Sequence, residues 1–209
     1  MKKKKSKHAY PDYNFRKITD ITVEDLNRMG AKAIAVDLDN TTVKDASFHL
    51  SHEVKEWVEE MRAAGFKFII ITNTFNFRAK FLSEKMGGVP YEAEAKKPHT
   101  KALRTAAKTI GVDVSQIAMI GDQLFTDVFA ANKAGAISIK VEPFEKEKLF
   151  ASYWKKVRGK EKAYIRGEEV DIQGLEQNKE MNMLYRWRLE RMKRREATSK
   201  SKSKKSNKR

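Results

Sequence analysis

Two aspartates that follow a short apolar run are the residues best suited to chemistry in this sequence. The run at residues 33–36 reads AIAV, and Asp37 and Asp39 come directly after it with one residue between them. Such a run predicts a buried strand, and alternate side chains of an extended chain point the same way. Because close carboxylates repel each other unless a cation or a proton lies between them, the pair indicates a Mg²⁺ site or acid–base chemistry. A strand followed by a simple turn explains the same residues without chemistry.

More polar residues can join this pair at one edge of a sheet. They are Thr72 and Asn73 after a second apolar run, Lys97 before a predicted helix, and Asp122 and Asp127 after a third apolar run. In a parallel sheet the carboxyl ends of the strands meet at one edge, so these side chains are expected to surround one site. Carboxylates there would hold Mg²⁺ and supply a nucleophile, while hydroxyl, amide and ammonium groups would surround a phosphoryl group. The set favours phosphoryl transfer.

Each of these residues also has an ordinary structural interpretation when it is taken alone. Thr72 and Asn73 can simply end a strand, and Lys97 can form a solvated pair with Lys96. Asp127 is favourable in the first turn of a helix because of the helix dipole. Only the order of the groups along the chain supports the chemical interpretation.

Apolar strands alternate with helical patterns through most of the chain, which predicts right-handed βαβ units. The expected fold class is α/β, with three layers around a mainly parallel sheet. The helix predicted at 76–86 has Phe77, Phe81 and Leu82 as its apolar side. Residues 10–20 are interpreted as an arm laid over the domain rather than as a regular element.

The spacing between the candidate residues leaves no room for an inserted cap domain. The intervals from Asp39 to Thr72 and from Thr72 to Lys97 hold only the helix and strand that the core needs. We therefore expect an open site. Such a site suits a bulky substrate, such as a lipid headgroup at a surface, a protein or a nucleic acid.

The formal net charge of +16 is concentrated at the two ends of the chain. Residues 1–8 carry five lysines, and residues 185–209 carry twelve lysines and arginines against two glutamates, so the middle is nearly neutral. This distribution favours an enzyme with polyanion-seeking extensions over a folded nucleic-acid groove. The predicted segments are a basic tail at 1–9, an α/β domain at 10–150, a connection at 151–174, and a basic helix with a disordered tail at 175–209.

Composition also bounds the location of the protein. The chain has no cysteine, which excludes disulfides and thiolate sites and fits a reducing compartment. No apolar run approaches the roughly 20 residues that cross a bilayer, and the start lacks the apolar part of a secretory signal. We expect a cytoplasmic protein that can lie at the membrane surface. The basic tails are compatible with contact to membrane or RNA, or with a helix packed on the domain.

Four motifs taken together resemble those of the haloacid dehalogenase-like phosphatases. They are DLDNT at 37–41, IIITN at 69–73, KKP at 96–98 and GDQLFTD at 121–127. The closer resemblance, over about residues 10–144, is to the YqeG-like phosphatases of subclass IIIA, which are related to mitochondrial phosphatidylglycerophosphate phosphatases. Asn40 stands where the superfamily commonly has glycine, and the YqeG-like subfamily shares this difference.

The resemblance implies a role for each motif residue. Asp37 would attack phosphorus and form an aspartyl-phosphate, while Asp39 would protonate the leaving oxygen and then activate water. Thr72, Asn73 and Lys97 would bind the phosphate oxygens, and Lys97 would also offset charge in the transition state. The Mg²⁺ ligands that it implies are Asp37, Asp39, Asp122 and Asp127.

The function that the resemblance implies is Mg²⁺-dependent hydrolysis of a phosphomonoester, with phosphatidylglycerophosphate as a candidate substrate. The expected partner is therefore a phosphorylated substrate, with an anionic lipid headgroup as one candidate. An alternative of another class is a ribosome- or RNA-associated factor whose basic tails bind RNA and whose site is slow or vestigial.

Overall fold

The computed structural model describes residues 10–45, 47–146 and 151–170, together with the isolated residues 191 and 194. The chain divides into two compact units, Met1–Ile172 and Gln173–Arg209, and all described residues except those two belong to the first. The basic tail expected at 1–9 and nearly all of the helix and tail expected at 175–209 lie outside the described residues.

Six parallel strands form one sheet in the order β1-β6-β5-β2-β3-β4. They are β1 (Tyr13–Phe15), β2 (Ala33–Val36), β3 (Lys67–Ile71), β4 (Tyr91–Glu92), β5 (Ile117–Gly121) and β6 (Ile137–Val141). The helices are α1 (Val23–Arg28), α2 (His52–Ala63), α3 (Asn76–Lys85), α4 (Lys101–Ile110), α5 (Phe129–Ala134) and α6 (Ala151–Ile165). This architecture confirms the predicted α/β fold class.

Two hydrophobic cores lie on opposite faces of the sheet, which gives the three layers. Alternate residues of β2 contribute to different cores, Ile34 and Val36 to one and Ala33 and Ala35 to the other. The first core takes side chains from α1, α2 and α3, and the second takes them from α4 and α5. Because β2 is covered on both faces, all four of its residues are apolar and buried.

Residues 13–15 form an edge strand where the sequence predicts an irregular arm. Tyr13 aligns with Ile139 and Phe15 with Val141 in a parallel pairing. Ser138 strengthens the start of this pairing, because its backbone N–H and its hydroxyl both donate to Asp12 Oδ2, at 2.9 and 3.0 Å. The expectation of an arm is wrong for these three residues, since β6 offers a free edge that the passing backbone can pair with.

Helix α3 turns a different side inward from the one that its sequence predicts. Its buried residues are Arg78, Ala79, Leu82 and Ser83. Leu82 is buried as predicted, but Phe81 is 41% exposed and Phe77 is only half-buried. The inward position of Arg78, which contacts Asp39, leaves the two phenylalanines facing outward.

Between Asp37 and Lys97, the described residues form the loop at 37–51 and the helices, strands and short connections of the core. Ala46 is the one residue of this interval that the structure does not describe. This agrees with the prediction of no inserted cap.

Beyond the sheet, α6 occupies residues that the sequence predicts to be a connecting segment. Its Trp154, Val157 and Tyr164 are buried. None of the helices in the described ranges has the length and apolar character needed to cross a membrane.

Candidate active site

The ends of three neighbouring strands bring the predicted site residues together. Strand β2 pairs with β5 on one side and with β3 on the other, in a register that aligns Val36 with Ile120 and Ile70. Asp37 follows β2, Thr72 follows β3, and Asp122 follows β5. The aligned register therefore places the polar residues at one edge of the sheet, as the sequence predicts.

Lys97 is a buried cation between two carboxylates. Its Nζ lies 2.7 Å from Asp37 Oδ1 and 2.6 Å from Asp127 Oδ1, and it donates to the carbonyl of Ile71 at 2.9 Å. Burial alone would lower the pKa of Lys97, but attraction to Asp127 and Asp37 outweighs it and raises that pKa. Lys97 therefore stays charged and holds these two carboxylates in place.

The side-chain amide of Asn73 positions the backbone of Lys97. Asn73 Oδ1 accepts from Lys97 N at 2.7 Å, and Asn73 Nδ2 donates to the carbonyl of Lys97 at 3.2 Å. The two bonds fasten the end of β3 to the segment before α4. The structure therefore links Asn73 to Lys97, and its contact with phosphate stays a prediction.

Asp37, Asp122 and Asp127 form a group that can hold a metal ion. One carboxylate oxygen from each lies within 4.8 Å of the others, and all three side chains are buried. Burial raises the pKa of Asp37 to about 6, with Lys97 opposing the rise. It also raises the pKa of Asp122 to about 7 and that of Asp127 in the same direction. Three close, buried, hard oxygen donors fit a divalent cation such as Mg²⁺.

Glycine is required at position 121, the end of β5, because the side chain of Asp127 lies against it. A Cβ atom on Gly121 would lie 2.2 Å from Cγ of Asp127, closer than atoms can approach. Asp127 lies within a π-helical turn at Leu124–Val128, which precedes α5. This turn lets Gln123 N donate to Asp127 Oδ2 at 3.1 Å and directs Asp127 back toward Lys97. Such turns are frequent at functional sites.

Asp39 is not one of the three clustered carboxylates, and it pairs with Arg78. Arg78 Nη1 lies 2.7 Å from Asp39 Oδ2 and also donates to Thr74 Oγ1 at 3.1 Å. The other donors of Arg78 bind the carbonyl of Ser47, with Nη2 at 2.7 Å. The Asp39 carboxylate is therefore oriented by an arginine, and its predicted role as a side-chain ligand of Mg²⁺ stays a prediction.

Threonine hydroxyls at the site form hydrogen bonds within the protein, and the contact of Thr72 with phosphate stays a prediction. Thr72 Oγ1 accepts from Thr74 N at 3.2 Å, and Thr42 Oγ1 donates to the carbonyl of Asp37 at 3.1 Å. Thr41 Oγ1 donates to Asp122 Oδ1 at 3.4 Å.

Asn40 adopts a left-handed φ of 59°, which asparagine tolerates better than most residues, and so turns the chain after Asp39.

Sequence reasoning missed two residues that α6 brings to this edge. Arg158 forms an ion pair with Asp122 through Nη2, and its Nη1 donates to the carbonyl of Asp122 at 3.0 Å. Buried Glu161 accepts from Leu124 N at 2.7 Å and pairs with Arg158 at 2.9 Å. The i, i+3 spacing of Arg158 and Glu161 on one helix was the available signal. Arg78 was also missed, although it lies four residues after Thr74.

Comparison with known proteins assigns the family. The family model described as haloacid dehalogenase-like hydrolase matches residues 45–135, a range that includes Lys97 and Asp127 but begins after Asp39. A relative named probable phosphatase YqeG, from Bacillus subtilis (strain 168), is 36% identical over 137 residues, which is 66% of this chain and 79% of the relative. The chain belongs to the haloacid dehalogenase-like hydrolases. It is therefore an enzyme of the phosphoric monoester hydrolase class.

Two further proteins are similar to parts of this chain. Phosphatidylglycerophosphate phosphatase 1, chloroplastic/mitochondrial, from Arabidopsis thaliana is 26% identical over 145 residues, which covers 65% of this chain and 41% of that protein. A solved HAD family hydrolase from Deinococcus radiodurans R1 is 16% identical with a TM-score of 0.47, covering 62% of this chain and 89% of that one.

Proposed function

We propose that this hydrolase is a Mg²⁺-dependent phosphatase that works through an aspartyl-phosphate on Asp37. The observation that carries the proposal is the buried Asp37 carboxylate, held 2.7 Å from Lys97 and within one group with Asp122 and Asp127. A nucleophilic carboxylate must be ionised and fixed in direction. Lys97 supplies both conditions, because its charge opposes the rise in the pKa of Asp37 and its contact fixes Oδ1.

The reaction has two steps that use different aspartates. In the first, a carboxylate oxygen of Asp37 forms a bond to phosphorus, the bond to the ester oxygen breaks, and Asp39 gives that oxygen a proton. In the second, Asp39 takes a proton from water, the water oxygen bonds to phosphorus, and the bond to Asp37 breaks. The products are the alcohol and inorganic phosphate, and both aspartates return to their first state.

The other residues of the site act on charge and position. Asp37, Asp122 and Asp127 would hold Mg²⁺, which when bound offsets negative charge on the phosphoryl oxygens. Lys97 offsets the same charge from the protein side and keeps Asp127 beside Asp37. Asn73 maintains Lys97 through its two backbone bonds.

Exchanging Asp39 for asparagine is expected to slow alkyl phosphates far more than activated aryl phosphates. An alkoxide leaving group needs a proton, whereas a nitrophenolate leaves without one, so the loss on the alkyl ester should be roughly 10²- to 10⁴-fold. Single-turnover release of glycerol from glycerol phosphate and of nitrophenolate from p-nitrophenyl phosphate measures the difference, because it follows the first step alone. An equal loss on both esters would contradict the acid role.

Lipid phosphomonoesters are the proposed substrate class, with phosphatidylglycerophosphate as the specific candidate. Two observations support this choice: the site carries no cap among the described residues, and one relative is named as a phosphatidylglycerophosphate phosphatase. We expect phosphate release from phosphatidylglycerophosphate micelles to exceed release from sugar phosphates, nucleotides and phosphopeptides. Each assay is run with Mg²⁺ and again with EDTA, which should stop the reaction. Preference for a water-soluble ester would contradict the lipid assignment while leaving the phosphatase assignment intact.

A further inference from the structure

Four phenylalanines beside the active site form a cluster that we call the phenylalanine cluster: Phe48, Phe75, Phe77 and Phe81. The rings of Phe48 and Phe81 meet edge to face with centroids 5.4 Å apart. Phe77 lies 6.3 Å from Phe48 and stacks with Phe75 at 6.5 Å. The four residues come from the loop after Asp39 and from the start and middle of α3, so two separate segments build one apolar surface.

The phenylalanine cluster is not part of the folded core. Among the described residues, neither core on the faces of the sheet includes any of its four members. Phe81 is 41% exposed, and the other three are half-buried. Helix α3 already has an inward side formed by Ala79 and Leu82. Keeping the rings of Phe77 and Phe81 partly in water is unfavourable, so the outward side of α3 favours an apolar partner other than the core.

Arg78 connects the phenylalanine cluster to the chemistry. Its guanidinium lies 5.9 Å from the ring centroid of Phe48, and the same group contacts Asp39 Oδ2 at 2.7 Å. Arg78 also binds the carbonyl of Ser47 and so fixes the residue that precedes Phe48. Arg78 therefore contacts both Phe48 of the cluster and Asp39, the proposed acid–base residue. It holds the cluster in a fixed position beside Asp39.

Lysines of α3 border the same surface. Lys80 and Lys85 are exposed, and Nζ of Lys85 lies 5.1 Å from the ring centroid of Phe81. Glu84 is the exposed acid of this helix. Aromatic rings bordered by lysines are typical of surfaces that bind the interface of an anionic bilayer. Each basic residue near such a membrane strengthens binding by roughly fivefold.

We propose that the phenylalanine cluster docks on an anionic lipid bilayer and holds the open active site against it. Phe77 and Phe81 enter the headgroup region, while Lys80 and Lys85 contact lipid phosphates. The choice of a lipid bilayer as the binding partner rests on the proposed function, in which the substrate is a lipid. It also rests on the positive charges of Lys80 and Lys85, which attract anionic headgroups. Docking through this surface brings a lipid phosphomonoester to Asp39 and Asp37 without removing its acyl chains from the membrane.

The absence of cysteine from the sequence allows a direct test in the full chain. Phe81→Cys carries an environment-sensitive nitrobenzoxadiazole label, and the control is Tyr13→Cys, because Tyr13 has the same exposed fraction of 41% on the edge strand β1. We expect the label at position 81 to brighten several-fold with phosphatidylglycerol vesicles and to be quenched by a lipid-embedded quencher. The label at position 13 should show neither change, and vesicles of phosphatidylcholine should give little response at either position.

Three results of this labelling experiment would overturn the proposal. One is an equal response at positions 81 and 13 when the protein sediments with vesicles, because another part of the chain would then make the contact. Another is no response at position 81 with anionic vesicles. The third is brightening that grows with protein concentration without vesicles, because a second copy of the chain would then cover the cluster.

A paired activity assay separates docking from catalysis. The double variant Phe77→Ser/Phe81→Ser should bind anionic vesicles about tenfold more weakly than the parent. Its hydrolysis of lipid phosphomonoester in those vesicles should fall by a similar factor while it keeps its rate on p-nitrophenyl phosphate, and an unchanged rate on the lipid would contradict docking. If the parent hydrolyses no ester while the label at position 81 still enters the bilayer, the phosphatase proposal fails and the docking surface stands.

Discussion

Replacing Asp37 by asparagine is expected to lower phosphate release by roughly 10⁴- to 10⁶-fold, the range seen when a catalytic nucleophile is removed. The amide has nearly the same shape as the carboxylate but cannot form the bond to phosphorus that begins the reaction. The loss should be similar for alkyl and aryl esters, because both pass through the same covalent step. Phosphate release with Mg²⁺ and p-nitrophenyl phosphate measures it.

The matched control is Asp113→Asn, which changes an exposed aspartate at the opposite end of β5. Asparagine also caps helices well, so this variant should keep the activity of the parent. Circular dichroism should show that both variants remain folded. If Asp37→Asn retained the parental rate, the nucleophile would have to be another residue.

Replacing Lys97 by methionine is expected to have the second largest effect, on stability as well as on activity. Methionine fills a similar volume but leaves Asp37 and Asp127 facing each other without the cation that now lies 2.7 and 2.6 Å from them. Removing one partner of a buried ion pair typically lowers the free energy of unfolding by about 3–5 kcal/mol. Urea unfolding at pH 8 with EDTA measures the loss.

The stability loss in Lys97→Met should depend on pH in a direction that follows from Asp37. Its pKa in the folded parent is raised from 3.8 to about 6, and removing Lys97 removes a factor that lowers it, so the pKa rises further. A carboxyl group whose folded pKa is raised destabilises the fold when it is ionised. The loss should therefore be largest at pH 8 and should shrink as the pH falls from 8 to 6.

Lys96→Met is the control for this experiment, because Lys96 is the exposed neighbour of Lys97. Lys96 has a left-handed φ of 54°, which methionine and lysine accept equally poorly, so the exchange adds no new backbone strain. A loss of stability in Lys96→Met as large as that in Lys97→Met would contradict the assignment of the effect to the buried ion pairs.

The sequence was enough to predict which strand ends build the site. Strands β2, β3 and β5 are buried on both faces, so each is a nearly unbroken apolar run with a polar residue at its end. The motif order then predicts that Asp37, Thr72 and Asp122 lie at one edge. These features are visible because they depend on residue type along a single segment.

Features that depend on contacts between distant segments could not be predicted in the same way. Phe77 and Phe81 have the helical spacing of a buried side, but Arg78 takes an inward position because its guanidinium reaches Asp39. Arg158 lies 36 residues after Asp122, on a helix that no motif marks. In both cases the position of the arginine depends on the aspartate that it pairs with. Spacing along the sequence does not reveal which aspartate that is.

The pairing of residues 13–15 with strand β6 could not be predicted for a related reason. The segment Tyr13–Phe15 alternates aromatic and polar residues over only three positions, too few to predict a strand, and it becomes one because β6 presents an unpaired edge beside it. The strand is thus determined by the rest of the sheet more than by its own residues.

The most direct test of the proposed mechanism is whether phosphate becomes bonded to Asp37 during turnover. A single-turnover reaction with ³²P-labelled substrate and Mg²⁺ is stopped with acid, and the labelled peptide is identified by mass spectrometry. We predict an acid-stable, hydroxylamine-sensitive acyl phosphate on Asp37, which is absent from Asp37→Asn and longer-lived in Asp39→Asn. Label on another residue, or full release of phosphate with no labelled protein at any time during the turnover, would contradict the mechanism.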